Sequence, residues 1–294
     1  MVKAKKLGHY TAFDYILVVF FVLFSLLMIY PIYYVIIGSL NQGLDYISGG
    51  VYVLPRKFTF DNYRVVFADS NLWHAYFITV SRTILGTFTA IIFTSLVAYA
   101  MSRKELPFKK FFYIANIFTM FFSGGLVPFF LIIDMLGLYN TYALYIIPCL
   151  YSVYHMIIIQ SFFKNLPEEL REAAILDGAG ELKIFFGIAI PLSMPVIATV
   201  SLWIAIGHWN SYFDAMVYTN DKNLETLQYY LMKLINSQNI NVGSITLPPS
   251  VTEKLTAEVV TFASIVVSML PVMFAFPFIS KYFEQGIMIG AVKG

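Results

Sequence analysis

The chain has 294 residues, of which 59% are hydrophobic and only 12% charged, and its mean hydropathy is +0.73. A soluble domain carries about a quarter charged residues, so this composition excludes an ordinary globular protein and points to a polytopic membrane protein. The net charge of +2 gives no footing for nucleic-acid binding, and the single Cys149 excludes an intrachain disulfide.

Lys3, Lys5 and Lys6 precede a run over about 15–38 that is too long for a signal-peptide core and has no small-residue cleavage site after it. It reads as a retained first span. The polar, mixed segment 41–72 predicts a short interfacial helix after Asp61. Further spans are read over about 73–101, 111–133, 142–163, 188–217 and 258–280, leaving a tail over 281–294. The segment 220–257, which includes Pro248 and Pro249, is polar and separates the last two spans. The predicted fold class is therefore all-α and polytopic, with six transmembrane helices in a single transmembrane domain over 1–294. No internal repeat and no boundary of a soluble domain is visible.

Basic residues set the orientation. With the N-terminus inside, the inner segments carry twelve Lys and Arg and the outer segments six, with Arg82 left inside a span. Both termini and the connection over 164–187 are thereby expected in the cytoplasm.

Little in the chain could perform bond chemistry. There is no GxxxxGK[ST] phosphate loop, no G-x-S-x-G elbow and no HExxH, and the four histidines are dispersed, so neither a metal site nor a nucleotide site is expected. Ionisable groups in or near spans are more informative, because a charge in hydrocarbon costs about 2.5–3.5 kcal/mol even on insertion scales. Arg82, His155, His208 and Asp214 qualify, with Asp134 near an outer end. Each lies close to an interface, pairs with a neighbouring helix or faces a polar pathway. His208 and Asn210 sit among Trp203, Trp209, Tyr212 and Phe213, which makes these six the candidate substrate-pathway residues. Aromatic faces stack on the apolar faces of sugars, although Trp and Tyr also populate membrane interfaces. Pro128 after Gly124-Gly125, and Pro148, Pro191, Pro195, Pro271 and Pro277, predict bent helices, which a transporter needs and a simple anchor does not.

One stretch between apolar runs is different: residues 168–191, EELREAAILDGAGELKIFFGIAIP. Asn165 is placed to cap a helix start with Glu168 as the return half of a capping box. Leu166, Leu170, Ala173, Ala174 and Asp177 follow at helical spacing, and Gly178 and Gly180 supply the stop. A second helix is expected from about Glu181 toward Pro191.

Within that stretch Glu172-Ala173-Ala174, then three residues, Gly178, nine residues and Ile188-Ala189-Ile190-Pro191 resembles the EAA loop of ABC importer permeases, with Ile190 in place of the usual Leu. The resemblance implies a type I ABC importer permease fold in which this loop is a cytoplasmic coupling helix seated in a cleft of an ATPase subunit. The residues that would carry the coupling are Glu172, Ala173, Ala174, Asp177 and Gly178. The C-terminal run from Lys281 to Ile287, followed by Gly290 to Gly294, is similar to the tail of carbohydrate importer permeases of the maltose type, as are Trp209–Met216 and the turn Leu136–Thr141. The likeness is greatest to the lipoprotein- and polygalacturonan-associated branch, which includes oligosaccharide and uronide importers. It implies that Gly286 and Gly290 belong to a tail reaching the ATPases. It also implies a second, similar permease subunit, two ATPase subunits that bind ATP and magnesium, and an extracytoplasmic solute-binding protein, with no cofactor in this chain and no enzymatic activity of its own. Two other readings stand beside it: an ion-coupled secondary transporter, which would show inverted repeats, and a polytopic membrane enzyme, which would need a polar constellation at one depth.

Overall fold

A computed structural model describes residues 11–236 and 255–291, with side chains through 274. Among the described residues the secondary structure is helical, apart from one isolated antiparallel bridge between Asn41 and Phe58. Among the described residues three helices are each long and apolar enough to cross a membrane, and three bent pairs of shorter helices reach that length and apolarity when each pair is taken together. The chain divides into two compact units, residues 1–69 with 234–269, and residues 70–233 with 270–294.

In the first unit α1 (Ala12–Ser39) opens with a complete capping box, Thr11 and Asp14 satisfying each other's backbone N–H groups. Its apolar surface is exposed throughout the span window, as a lipid-facing helix requires. The last carbonyls of any helix lack intrahelical donors. Here the buried Asn62 of α3 (Asp61–Ala68) supplies them, its Nδ2 donating to Ser39 O at 2.7 Å and Asn41 O at 2.8 Å. The helix expected after Asp61 is thus present, and it closes the end of α1. Between them lies α2 (Gly43–Ile47), whose Asp45 pairs with Arg56 at 3.0 Å.

The second unit is built around α4 (Ser70–Ser102), a single unbroken helix of 33 residues. Arg82, Gly86, Ala90, Thr94, Ala98 and Ser102 recur every fourth position and all are buried. Small residues on one stripe let helix backbones approach closely, and α7 (Val153–Phe163) and α11 (Met194–Asn210) pack against α4 around Ala90, Ala98, Met156, Ile159 and Val200. The buried amide of Gln160 in α7 donates to Met101 O at 2.6 Å, satisfying a terminal carbonyl of α4.

Three predicted spans are not straight. The third is α5 (Lys109–Phe121) and α6 (Leu126–Met135), bent by 117° where Gly125 adopts φ +85°. The fourth starts as short 3-10 turns over Tyr142–Cys149 before α7, a 48° bend. The fifth bends by 86° between Leu192 and Met194, its helix ends at Asn210, and α12 (Phe213–Tyr218) is separate. The glycine pair and Pro148, Pro191 and Pro195 mark these breaks, since each removes or weakens a ladder hydrogen bond. After α12 come a 3-10 turn at Lys222–Leu224 and α13 (Leu227–Asn236); residues 237–254 of the predicted outer segment, including Pro248 and Pro249, lie outside the described residues. The final helix, α14, spans Ala257–Ala291. It continues through Gly286 and Gly290, so the backbone there is helical rather than the flexible tail that the glycines suggest.

Candidate functional site

The stretch 164–191 folds as a helix, a glycine turn and a second helix. Here α8 covers Glu168–Leu176 and α9 Glu181–Ile184, followed by a π-helical turn over Phe185–Ala189 and α10 (Ile190–Leu192). The stop works through Gly178, which takes φ +79°. Its N–H donates to Ile175 O, and the Ala179 N–H donates to Ala174 O, both at 2.9 Å. This is the paired closure that needs a left-handed residue just past the helix end.

Two details differ from the sequence reading. Asn165 does not cap α8: Pro167 occupies the cap position with no side-chain bond, and the Asn165 amide instead donates to Ser161 O at 2.7 Å, closing α7. The proline fixes φ at the cap position. Gly180 is not left-handed either; it is extended and precedes α9.

On α8, Glu169, Glu172, Ala173 and Leu176 form an outward stripe, with Leu176 88% exposed, and Asp177 is also exposed. Ala174 and Arg171 face inward. Glu172 makes no ion pair among the described residues. Arg171 behaves oppositely: only 17% exposed, it meets Glu181 at 2.5 Å, Glu168 at 3.1 Å and Glu105 at 3.6 Å. Glu181 also accepts from the hydroxyl of the buried Tyr99 of α4, at 2.7 Å, and Arg103 lies 4.6 Å over the Tyr99 ring. The Arg171 hydrogen bond is the main cause that holds the Glu181 carboxyl below its usual value. A carboxyl lowered in this way contributes above its unfolded pKa and loses the contribution as pH falls through the folded value, so these contacts are complete at neutral pH and weaken only in acid.

A second site lies inside the unit, a cavity of about 270 Å³ walled by α4, α7 and α11. Arg82, Thr94, Tyr151, Ser152, His155, Trp203, His208, Ser211 and Asp214 are among its lining groups. Its polar anchor is the ion pair of Arg82 with Asp214 at 2.5 Å, Arg82 being 1% exposed and Asp214 19%. The Arg82 guanidinium stacks 4.3 Å from the centroid of Tyr145, and the Ser211 hydroxyl donates to Asp214. Nε and Nη1 of Arg82 have no acceptor among the described residues. Of the six pathway candidates, the cavity takes Trp203 and His208. Trp209 is buried edge-on against Tyr76 at 5.8 Å instead, and Asn210, Tyr212 and Phe213 lie outside the lining. Tyr151, Ser152 and Thr94 were not singled out by sequence, because hydroxyls inside apolar runs carry no distinguishing spacing. Asp134 does not line the cavity.

His208 sits against Gly86 so closely that a Cβ there would lie 2.5 Å from its Nε2. Gly86→Ala is therefore expected to push α4 and α11 apart and to cost about 1–3 kcal/mol, as overpacking in a core does. The measurement is the thermal unfolding midpoint of the purified complex; an unchanged midpoint would show that the ring moves freely.

A helical membrane protein with an exposed, glycine-terminated surface helix and an open cavity anchored by a charged pair has the form of a transport permease. The chain matches the family model for the binding-protein-dependent transport system inner membrane component over residues 83–289, and it belongs to that family. It is 35% identical over 288 residues, 96% of this chain and 98% of the other, to the polygalacturonan/rhamnogalacturonan transport system permease protein YtcP of Bacillus subtilis (strain 168). Protein LplC of the same organism is 35% identical over 271 residues, 90% of each chain. A crystal structure of a bacterial ABC transporter involved in the import of the acidic polysaccharide alginate superposes with a TM-score of 0.88 at 33% identity, covering 94% of this chain and 100% of that one. The chain is thus a multi-pass ABC importer permease and not an enzyme. A solute-binding protein and an ATPase are its implied partners, and the ion-coupled reading is set aside.

Proposed function

We propose that this chain is one of two transmembrane subunits of an ATP-driven importer of oligosaccharides, uronide and polysaccharide-derived oligosaccharides among them. It pairs with a second, similar permease and rests on two ATPase subunits that bind ATP and magnesium. It receives sugar from an extracytoplasmic binding protein. Both termini and α8 face the cytoplasm, in keeping with the twelve-to-six distribution of basic residues. The observation that carries the reading is α8 itself: a short helix closed by Gly178 that turns Glu172, Ala173 and Leu176 outward while Ala174 anchors it. A small-residue helix face lets a partner approach, and an unpaired carboxylate invites an arginine.

Closure of the ATPases on ATP draws the coupling helices together and opens the cavity outward. Sugar leaves the binding protein for the cavity, where aromatic faces and hydroxyls offer stacking and hydrogen bonds. Reopening of the ATPases then turns the cavity to the cytoplasm. Trp203 and His208 are the pathway residues best placed for contact, since they line the cavity. Gly286 and Gly290 extend α14 toward the ATPases, and the segment 220–257 reaches toward the binding protein.

Site-directed crosslinking tests the assignment. In a Cys149→Ser background, Leu176→Cys on α8 should crosslink to an ATPase subunit of the assembled transporter, with a yield that changes between nucleotide-free and ATP-bound states. A cysteine there that partitions into lipid in both states would contradict it.

A further inference from the structure

The contacts around Arg171 do more than hold one helix. They join three separate stretches of chain: α8 through Glu168, α9 through Glu181, and the connection after α4 through Glu105. Tyr99 brings in α4 itself, with its hydroxyl on the second oxygen of the same Glu181 carboxylate that Arg171 holds. Its ring also packs against Arg103 at 4.6 Å and against Phe185 and Phe163 at 5.4 and 5.9 Å. Isolated exposed ion pairs hold geometry poorly. Here one largely buried guanidinium is shared among carboxylates and backed by a buried phenol, which fixes directions as well as distances. The same α4 runs without a break to Arg82 in the wall of the cavity, seventeen residues away and so about 26 Å along the axis.

We propose that Arg171, Glu181 and Tyr99 form a rigid joint that makes α8 and α4 move as one body, so that displacement of α8 is delivered to the cavity wall. These are positioning residues. They touch neither sugar nor nucleotide, and they act on transport by fixing α8 to the helix that carries Arg82. The inference rests on the coupling role proposed for α8, and its test is chosen so that the two can fail separately. Arg171→Gln removes the shared charge, Tyr99→Phe removes only the hydroxyl, and Arg171→Lys keeps the charge but cannot bridge carboxylates in a planar fork.

The assembled transporter is reconstituted in nanodiscs, and spin labels are placed at Ile175 on α8, off the outward stripe, and at Ala100 on α4, both exposed in this chain. With Mg-ATP as the probe, the parent protein should give one narrow distance distribution that is the same in nucleotide-free and ATP-bound states. In Arg171→Gln the distribution should broaden or shift when ATP binds. ATPase subunits should still co-purify, and uptake should fall at least tenfold while basal ATP hydrolysis persists. Tyr99→Phe should show the same pattern more weakly, and Arg171→Lys should recover part of it. A narrow, state-independent distribution with full uptake in Arg171→Gln and Tyr99→Phe would overturn the joint. So would a parent protein whose distance changes on ATP binding. Loss of ATPase co-purification in Arg171→Gln would also count against it, because that outcome makes Arg171 a docking residue.

Discussion

Glu172→Ala should release the ATPase subunits from the permease while leaving insertion of the chain in the membrane unchanged. On the proposed coupling role, Glu172 points away from its own chain toward a partner arginine in a cleft that excludes water. Removing one member of such a buried pair costs about 3–5 kcal/mol, because the remaining charge stays desolvated without compensation. Each 1.4 kcal/mol is a factor of ten in affinity, so the loss corresponds to roughly a hundredfold or more. Neighbouring changes calibrate the result: Glu168 already has Arg171 and Arg103 within this chain, and its substitution should weaken ATPase binding far less. Co-purification of ATPase with the permease, together with ATP hydrolysis stimulated by ligand-loaded binding protein, provides the measurement. Normal association and stimulation in the Glu172 variant would remove the coupling assignment.

Asp214→Ala should be the most damaging single change in the cavity wall. It strands Arg82, which is 1% exposed and among the described residues has only the Tyr145 ring and that carboxylate as strong partners. The expected cost is about 3–5 kcal/mol for the single variant. The double variant Arg82→Met with Asp214→Leu should recover much of that loss, since no charge is left buried. Thermal unfolding of the parent, Arg82→Met, Asp214→Leu and the double variant closes the cycle and gives the coupling energy directly. Recovery of stability without recovery of uptake would assign the pair to the pathway; recovery of both would assign it to packing alone. A single variant as stable as the parent would show that the cavity solvates Arg82 without Asp214.

Much of this architecture is legible in the sequence because membrane burial writes long apolar runs, and a glycine four residues after a paired alanine marks the end of a short helix. The bends are less legible. Hydropathy averages over a window, so the 117° break between α5 and α6 appears as one apolar run in which Gly124, Gly125 and Pro128 are the signals of a bend. The stripe from Arg82 to Ser102 carried a readable signal, a small residue at every fourth position, that points to a closely packed helix face. The partnership of Arg82 with Asp214 was not readable, because 132 residues separate them. Periodicity describes faces of one helix and says nothing about which helix lies opposite. The same limit explains the pathway residues: Trp203 and His208 line the cavity from α11, whereas Trp209 of the same helix packs on Tyr76, and Asn210, Tyr212 and Phe213 lie off the lining although Ser211 and Asp214 return to it. The Glu168–Arg171 pair is three residues apart on α8 and follows from helical spacing, but Tyr99 and Glu105 come from the end of α4 and the connection after it, and only tertiary packing brings them in.

The central claim is that transport through this chain is driven by ATP and supplied by a binding protein. Its most direct test is uptake of a labelled oligogalacturonide into proteoliposomes that contain the assembled transporter, with binding protein outside and Mg-ATP inside. The account predicts uptake that requires both the binding protein and internal ATP and that persists when an uncoupler collapses the proton gradient. Uptake that survives ATP depletion and disappears with the uncoupler would contradict it.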